Sequence, residues 1–134
     1  MSKELFDSIK CLVVCKDKFN RSLIRSVVVN AGIRGTNISE IEDLREISFK
    51  GYDLCFNSII IDHDEYEGFN YMEEIEKNPA TNKTPLIILT NSNSKEFVLK
   101  AIELGITGIV LKPINTLSVK KNLEKACGFV LAER

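Results

Sequence analysis

FNSIIID, residues 56–62, sets three isoleucines in a row directly before an aspartate. An unbroken β-branched run of this kind reads as a strand buried on both faces, the habit of parallel sheets covered by helices. Asp62 then falls at the carboxyl end of that strand. The same reading fits TPLIILT (84–90), ITGIVLKP (106–113) and Cys11–Cys15, with a weaker strand around Thr36–Ile38.

Between these runs the apolar period changes from continuous to helical. Asp17 is placed to cap a helix whose apolar positions are Phe19, Leu23, Ile24, Val27, Val28 and Ala31, closed by Gly32. Ser39 and Glu42 have capping-box spacing and predict a helix carrying Ile41, Leu44 and Ile47. Gly68–Lys77 reads as a short helix stopped before Pro79. Asn93 with Glu96 predicts the start of another, with Phe97, Val98, Ala101 and Ile102 inward and Gly105 ending it. Leu117–Leu131 is the last helix. Strands alternating with amphipathic helices imply a parallel α/β sheet with helices on both faces, and right-handed crossovers favour the doubly wound arrangement.

Bulk properties narrow the function. The 134 residues are read as one domain over 1–134, and 44% hydrophobic with 28% charged residues suits a globular core. A formal net charge of -1 offers no general attraction for nucleic acid or an anionic membrane. No apolar run approaches a membrane span, and MSKELFDSIK is too charged for a secretion signal, so the expected location is cytoplasmic. Cys11, Cys15, Cys55 and Cys127 have neither metal-binding spacing nor a disulfide framework. With His63 as the sole histidine, a zinc site or a Ser–His hydrolase is set aside.

In doubly wound sheets ligands bind outside the carboxyl ends of the strands. Those ends supply Cys15, Lys16 and Asp17, then Asp62, then Thr90 and Asn91, then Lys112 before Pro113. A carboxylate, a hydroxyl and an ammonium on one rim are the groups of phosphoryl chemistry: a nucleophile with donors for phosphoryl oxygens.

These residues, in this order, resemble the receiver domain of two-component response regulators, and the resemblance covers nearly the whole chain. VVCKDKFNRSL is similar to the family's opening, FNSIIID to its phospho-acceptor strand, TPLIILT to the strand ending in its switch hydroxyl, and LGITGIVLKP to its Lys-Pro segment. The resemblance implies a flavodoxin-like five-stranded sheet of order 2-1-3-4-5. It implies that Asp62 accepts a phosphoryl group from a partner's phosphohistidine, that Lys112 pairs with the new charge, and that Thr90 moves toward it. It also makes Lys112-Pro113 a cis-peptide candidate. Partners would be a sensor histidine kinase, a phosphotransfer protein or an effector, in a bacterial setting. The chain would be a monomer or weak homodimer, stand-alone because it ends just after its final helix. The output face would be the Phe97–Leu104 helix, Ile109 and the Leu117–Leu131 helix. Apart from self-catalysed phosphotransfer, no enzymatic activity is implied.

The chain also departs from the family. The two acidic residues that would hold magnesium fall on Cys15 and Lys16, so the pocket reads as metal-poor, with no firm cofactor and magnesium disfavoured. One charge pair at about 4 Å is worth roughly 4 kcal/mol at an effective dielectric near 20, and magnesium prefers oxygen ligands. Two placements of Lys16 stay open: an ion pair with Asp62 in the metal's stead, or solvent. An alternative register ends a strand YDLCFNS at Ser58, leaving no phospho-acceptor; the better apolar run favours Asp62. HDEYE (63–67) is a shortened loop. Ile109 replaces an aromatic switch residue, and Asn91 stands where a small residue is usual. The preferred function is therefore a signalling module acting by protein contact, with phosphorylation at Asp62 weak or absent. An ordinary phospho-accepting regulator is the alternative.

An enzymatic alternative uses Cys15, five intervening residues, Arg21 and Ser22, a match to the nucleophile loop of low-molecular-weight tyrosine phosphatases. KDKFN has no glycine to let amides wrap a phosphate, and the chain has no Asp-Pro pair for the general acid. A redox role for Cys15 and a flavin site are weaker still, the latter for want of a Gly-rich loop.

Overall fold

The helix after the first strand starts where a side chain takes over an orphan backbone donor. In the computed structural model, which describes residues 8–47 and 56–128, Asp17 Oδ2 accepts the Asn20 N–H at 2.8 Å. Helix α1 (Lys18–Ala31) follows β1 (Cys11–Val14) and ends at Gly32, whose φ of 123° suits a residue without a Cβ. A single 3₁₀ turn (Gly35–Asn37) leads to β2 (Ile38–Ile41). Next come β3 (Ser58–Asp62), a 3₁₀ turn (His63–Glu65), α2 (Tyr71–Lys77), β4 (Leu86–Thr90), α3 (Lys95–Glu103), β5 (Gly108–Leu111) and α4 (Thr116–Cys127). All strand pairs are parallel, in the order β2-β1-β3-β4-β5. This is the doubly wound arrangement expected.

The side-chain period of two sends each strand's apolar residues to both faces. Cys11, Val13, Ile60, Ile87, Leu89 and Val110 meet α1 and α4 on one side, through Ile24, Val27, Val28, Ala31, Val119 and Leu123. Leu12, Val14, Ile59, Ile61, Leu86 and Ile88 meet Tyr71, Ile75 and Ala101 on the other. At roughly 1.5–3 kcal/mol per large aliphatic side chain, the inward stripe of α1 alone contributes an amount comparable to a domain's net stability. That stripe fixes how α1 docks.

Several boundaries differ from expectation. Phe19 and Leu23 are 78% and 48% exposed, because the buried stripe 24-27-28-31 continues to the half-buried Arg21 rather than to Phe19. Ile102 is likewise outward at 63% exposure, and of the α3 residues only Ala101 is fully buried. The weak strand is Ile38–Ile41, so Ser39 and Ile41 belong to β2 and do not begin a helix. The capping box forms four residues later: Asp43 Oδ1 accepts the Arg45 N–H and Glu46 Oε2 the Asp43 N–H, each at 2.9 Å. Residues 48–55, with Cys55 and the whole YDLC segment, lie outside the described residues. Gly68 has φ 55°, a left-handed turn, so α2 begins at Tyr71. Ser94, not Asn93, caps α3 by accepting the Phe97 N–H. The last helix begins at Thr116 and stops at Cys127 on a left-handed Gly128, and residues 129–131 are outside the described set. No helix among the described residues is long and apolar enough to cross a membrane.

Candidate functional site

The parallel register brings five strand ends to one rim. Val14 pairs with Ile61, Asp62 with Leu89, and Thr90 with Leu111. One residue beyond these partners lie Cys15 and Lys112. Ser58 opens β3 opposite Cys11, at the far end of the sheet, so Asp62 holds the rim position and the Ser58 register is not adopted.

Asp62 is 2% exposed, and its Oδ1 accepts the Lys112 ammonium at 2.8 Å and the Asp64 N–H at 3.1 Å. The second bond starts the tight turn His63–Glu65. In a 3₁₀ turn successive side chains point about 120° apart, so neighbouring acidic residues leave in different directions. Asp64 reaches toward β4 and β5. Its Oδ1 accepts the Thr90 hydroxyl at 2.7 Å, and its Oδ2 accepts the Asn91 backbone N–H at 3.0 Å and side-chain amide at 3.1 Å. Lys112 Nζ stands 3.1 Å from the same Oδ2. Burial works to raise the Asp64 pKa, but the bonds from Thr90, Lys112 and Asn91 outweigh it and hold the carboxyl below its ordinary value. Burial pulls the Lys112 ammonium the other way; bonds to Asp62 and Asp64 prevail and raise its pKa. Lys112 and Pro113 are joined by a cis peptide bond.

Glu65 turns back toward β1. Its Oε1 accepts the Lys16 N–H at 2.7 Å and its Oε2 the Asp17 N–H at 3.0 Å, 3.6 Å from Cys15 Sγ. Cys15, Asp62 and Glu65 thus offer ligand atoms within 4.8 Å of one another. Burial, then the Glu65 and Asp62 carboxylates, push the Cys15 thiol up to about 12, so it stays protonated near neutral pH. His63, buried between the rings of Phe69, Phe97 and Tyr71, shares a 2.6 Å hydrogen bond with the Tyr71 hydroxyl through Nδ1. Its pKa is lowered, burial outweighing the nearby carboxylates. This aromatic floor anchors the turn that carries Asp64 and Glu65.

Of the two placements open for Lys16, the structure takes the one away from Asp62: Lys16 is exposed, and its ammonium lies 4.6 Å from the centroid of the Tyr66 ring, keeping its hydration while gaining a cation–π contact. The pocket keeps its negative charge even with Cys15 and Lys16 in place of the acidic pair. Asp62, Asp64 and Glu65 against Lys112 give a formal -2, the sum expected from a full acidic pair, with two of the carboxylates delivered from the loop after β3. The signal was present in the sequence as DHDE (62–65), three acids around one turn. Arg21 donates to the Cys15 carbonyl at 2.8 Å and lies 3.8 Å from Glu40 and Glu42. It ties down the strand end rather than facing a cradle at Cys15, the opposite of what a phosphatase loop requires. Beside the rim, Asn20, Leu23, Ile24, Asp62, Lys112 and Ile114 line part of a cleft of about 190 Å³. Ile109 is half-buried on β5 against the second core cluster.

These features define a doubly wound α/β domain with a carboxylate, a hydroxyl and a lysine gathered where its strands end. The chain matches the response regulator receiver domain over residues 11–124. It belongs to that family. It is 21% identical over 112 residues to two-component response regulator ORR8 of Oryza sativa subsp. indica, covering 82% of this chain and 91% of that protein. Among solved structures it is similar to the chemotaxis response regulator CheY4 of Vibrio cholerae (TM-score 0.70, 25% identity, 88% of this chain and 98% of that one). It also superposes on a putative pilus assembly-related protein from Burkholderia pseudomallei (TM-score 0.74, 20% identity, 94% and 93%), a likeness of fold.

Proposed function

We propose that this receiver domain signals by binding a separate protein, a histidine kinase, phosphotransfer protein or effector, and that Asp62 is its phosphoryl acceptor, phosphorylated only to a low extent. The single observation that supports an acceptor role is the buried Asp62 carboxylate held at 2.8 Å by Lys112 beside Thr90. In the transfer, the carboxylate oxygen not held by Lys112 attacks phosphorus. The P–N bond of a phosphohistidine breaks, its electron pair stays on the ring nitrogen, and an acyl phosphate forms on Asp62. Lys112 balances the added charge, and the Thr90 hydroxyl donates to a phosphoryl oxygen.

One cause of the low extent is the ligand set on the β1 side. The family's magnesium calls for oxygen donors in near-octahedral geometry. Here Cys15 turns a protonated sulfur into that position, and both Glu65 oxygens are already bonded to backbone N–H groups. This donor set does not fit the ion. For the protein contact, Leu99 and Ile102 on α3 and Leu111 on β5 are 55%, 63% and 45% exposed, which favours the face built by α3, β5 and α4.

The test is incubation with acetyl phosphate, with and without magnesium, followed by intact mass. A minor acid-stable, base-labile adduct that disappears in Asp62→Asn is the expected result. Stoichiometric, magnesium-dependent labelling would refute the low extent, and a label surviving Asp62→Asn would refute the acceptor.

A further inference from the structure

The donors around Asp64 do not belong to an ordinary loop residue. Thr90, Asn91 and Lys112 present a hydroxyl, a backbone N–H, a side-chain amide and an ammonium, all converging on one carboxylate at 2.7 to 3.1 Å. A hydroxyl, a strand-end N–H and an ammonium are also what an anionic phosphoryl group attached to Asp62 would need, since Lys112 spans Asp62 and Asp64 at once. Each donor is engaged, and the Asp64 side chain is 27% exposed, so the arrangement is partly shielded from water.

We infer that Asp64 is the resident ligand of the phosphoryl pocket, an internal carboxylate that stands in for the phosphoryl group and must leave before one can enter. The inference rests on the reading of this rim as a phosphoryl pocket and deepens it. The placement has a mechanical cause. Asp62 Oδ1 accepts the Asp64 N–H and closes the 3₁₀ turn, while the buried His63–Tyr71 hydrogen bond pins the residue between them. Asp64 is thereby aimed across the rim at β4.

Two consequences follow. Without phosphate, Thr90 and Lys112 already take the bonded arrangement that a phosphoryl group would impose, so the β4–α3 side of the domain is held in one state. A phosphodonor meets a second negative charge and a set of occupied donors. Asp64 is thus a positioning residue that sets both the resting state and the resistance to phosphorylation.

The experiment compares wild type, Asp64→Asn and Asp64→Ala by the Asn91 amide signal, its hydrogen-exchange rate, and the rate of Asp62 labelling by acetyl phosphate. In Asp64→Ala the Asn91 N–H loses its carboxylate acceptor, so its signal moves upfield and it exchanges faster. Labelling accelerates roughly ten- to a hundredfold, the worth of a charge-assisted hydrogen bond. Asp64→Asn retains acceptor capacity for Thr90 but no charge for Lys112, and falls between. An Asn91 amide unmoved in Asp64→Ala would overturn the inference, as would measurable labelling of Asp62 at the same rate in all three proteins. If Asn91 is released but no variant is labelled at all, the inference stands and the acceptor reading of Asp62 falls.

Discussion

Glu65→Ala tests whether the loop after β3 holds the end of β1 in place. The substitution removes two charge-assisted hydrogen bonds, from Lys16 N–H at 2.7 Å and Asp17 N–H at 3.0 Å. Fully buried, each would be worth roughly 1.5–3 kcal/mol, but Lys16 and Asp17 are exposed and water replaces part of the loss. The expected cost is about 2 kcal/mol, or about 6–8 °C in Tm for a chain of this length. Urea titration should show a lower midpoint with an unchanged slope, because the same surface is exposed on unfolding. A second readout is chemical. The Glu65 carboxylate is the next cause, after burial, of the raised Cys15 pKa, so alkylation of Cys15 should quicken in the variant. Stability within about 0.3 kcal/mol of wild type, a size typical of a neutral surface change, together with unaltered Cys15 reactivity, would refute the bridging role.

Cys15 in the wild type should react with iodoacetamide at pH 8 roughly a thousandfold more slowly than an unperturbed thiol, as expected from its thiolate fraction, read by peptide mass mapping. Burial pushes the Cys11 and Cys15 thiols up from an ordinary 9.0 to about 12. A raised thiol pKa contributes stability that is complete below the unfolded value and lost as pH rises, so Tm should fall above about pH 9, and less so in Cys15→Ala. Replacing the sulfur and ammonium together, Cys15→Asp with Lys16→Asp, should raise magnesium-dependent labelling of Asp62 in the acetyl phosphate assay. A Cβ on Gly108 would collide with the Asn122 side-chain amide, which is itself bonded to the Ser118 carbonyl at 2.9 Å. Gly108→Ala should therefore cost about 1–3 kcal/mol in urea unfolding, with most of it recovered by adding Asn122→Ala.

The strands were legible because Ile59–Ile61, Leu86–Leu89 and Cys11–Cys15 are apolar without interruption, and only a two-faced parallel sheet buries every position of such a run. Asp62, Thr90 and Lys112 could be placed on one rim for the same reason, since register carries strand ends to one edge. The edge strand β2 was harder: it buries only Ile38 and Ile41, and a Ser39–Glu42 spacing imitates the capping box that Asp43 and Glu46 form. Lys16 stayed open between two placements because its position in the chain sets its backbone and not its flexible head, which lies against Tyr66. Asp64 and Glu65 escaped notice because their roles depend on a tight turn scattering adjacent side chains. Composition alone does not show that one carboxylate reaches β4 and the next β1.

A crystal structure of the wild-type protein grown without phosphate or its analogues would decide whether Asp64 occupies the phosphoryl pocket. The expected result is the Asp64 carboxylate within hydrogen-bonding distance of the Thr90 hydroxyl, the Asn91 N–H and the Lys112 ammonium, with Lys16 turned toward Tyr66. Asp64 directed into solvent, leaving Thr90 and Asn91 bonded only to water, would contradict it.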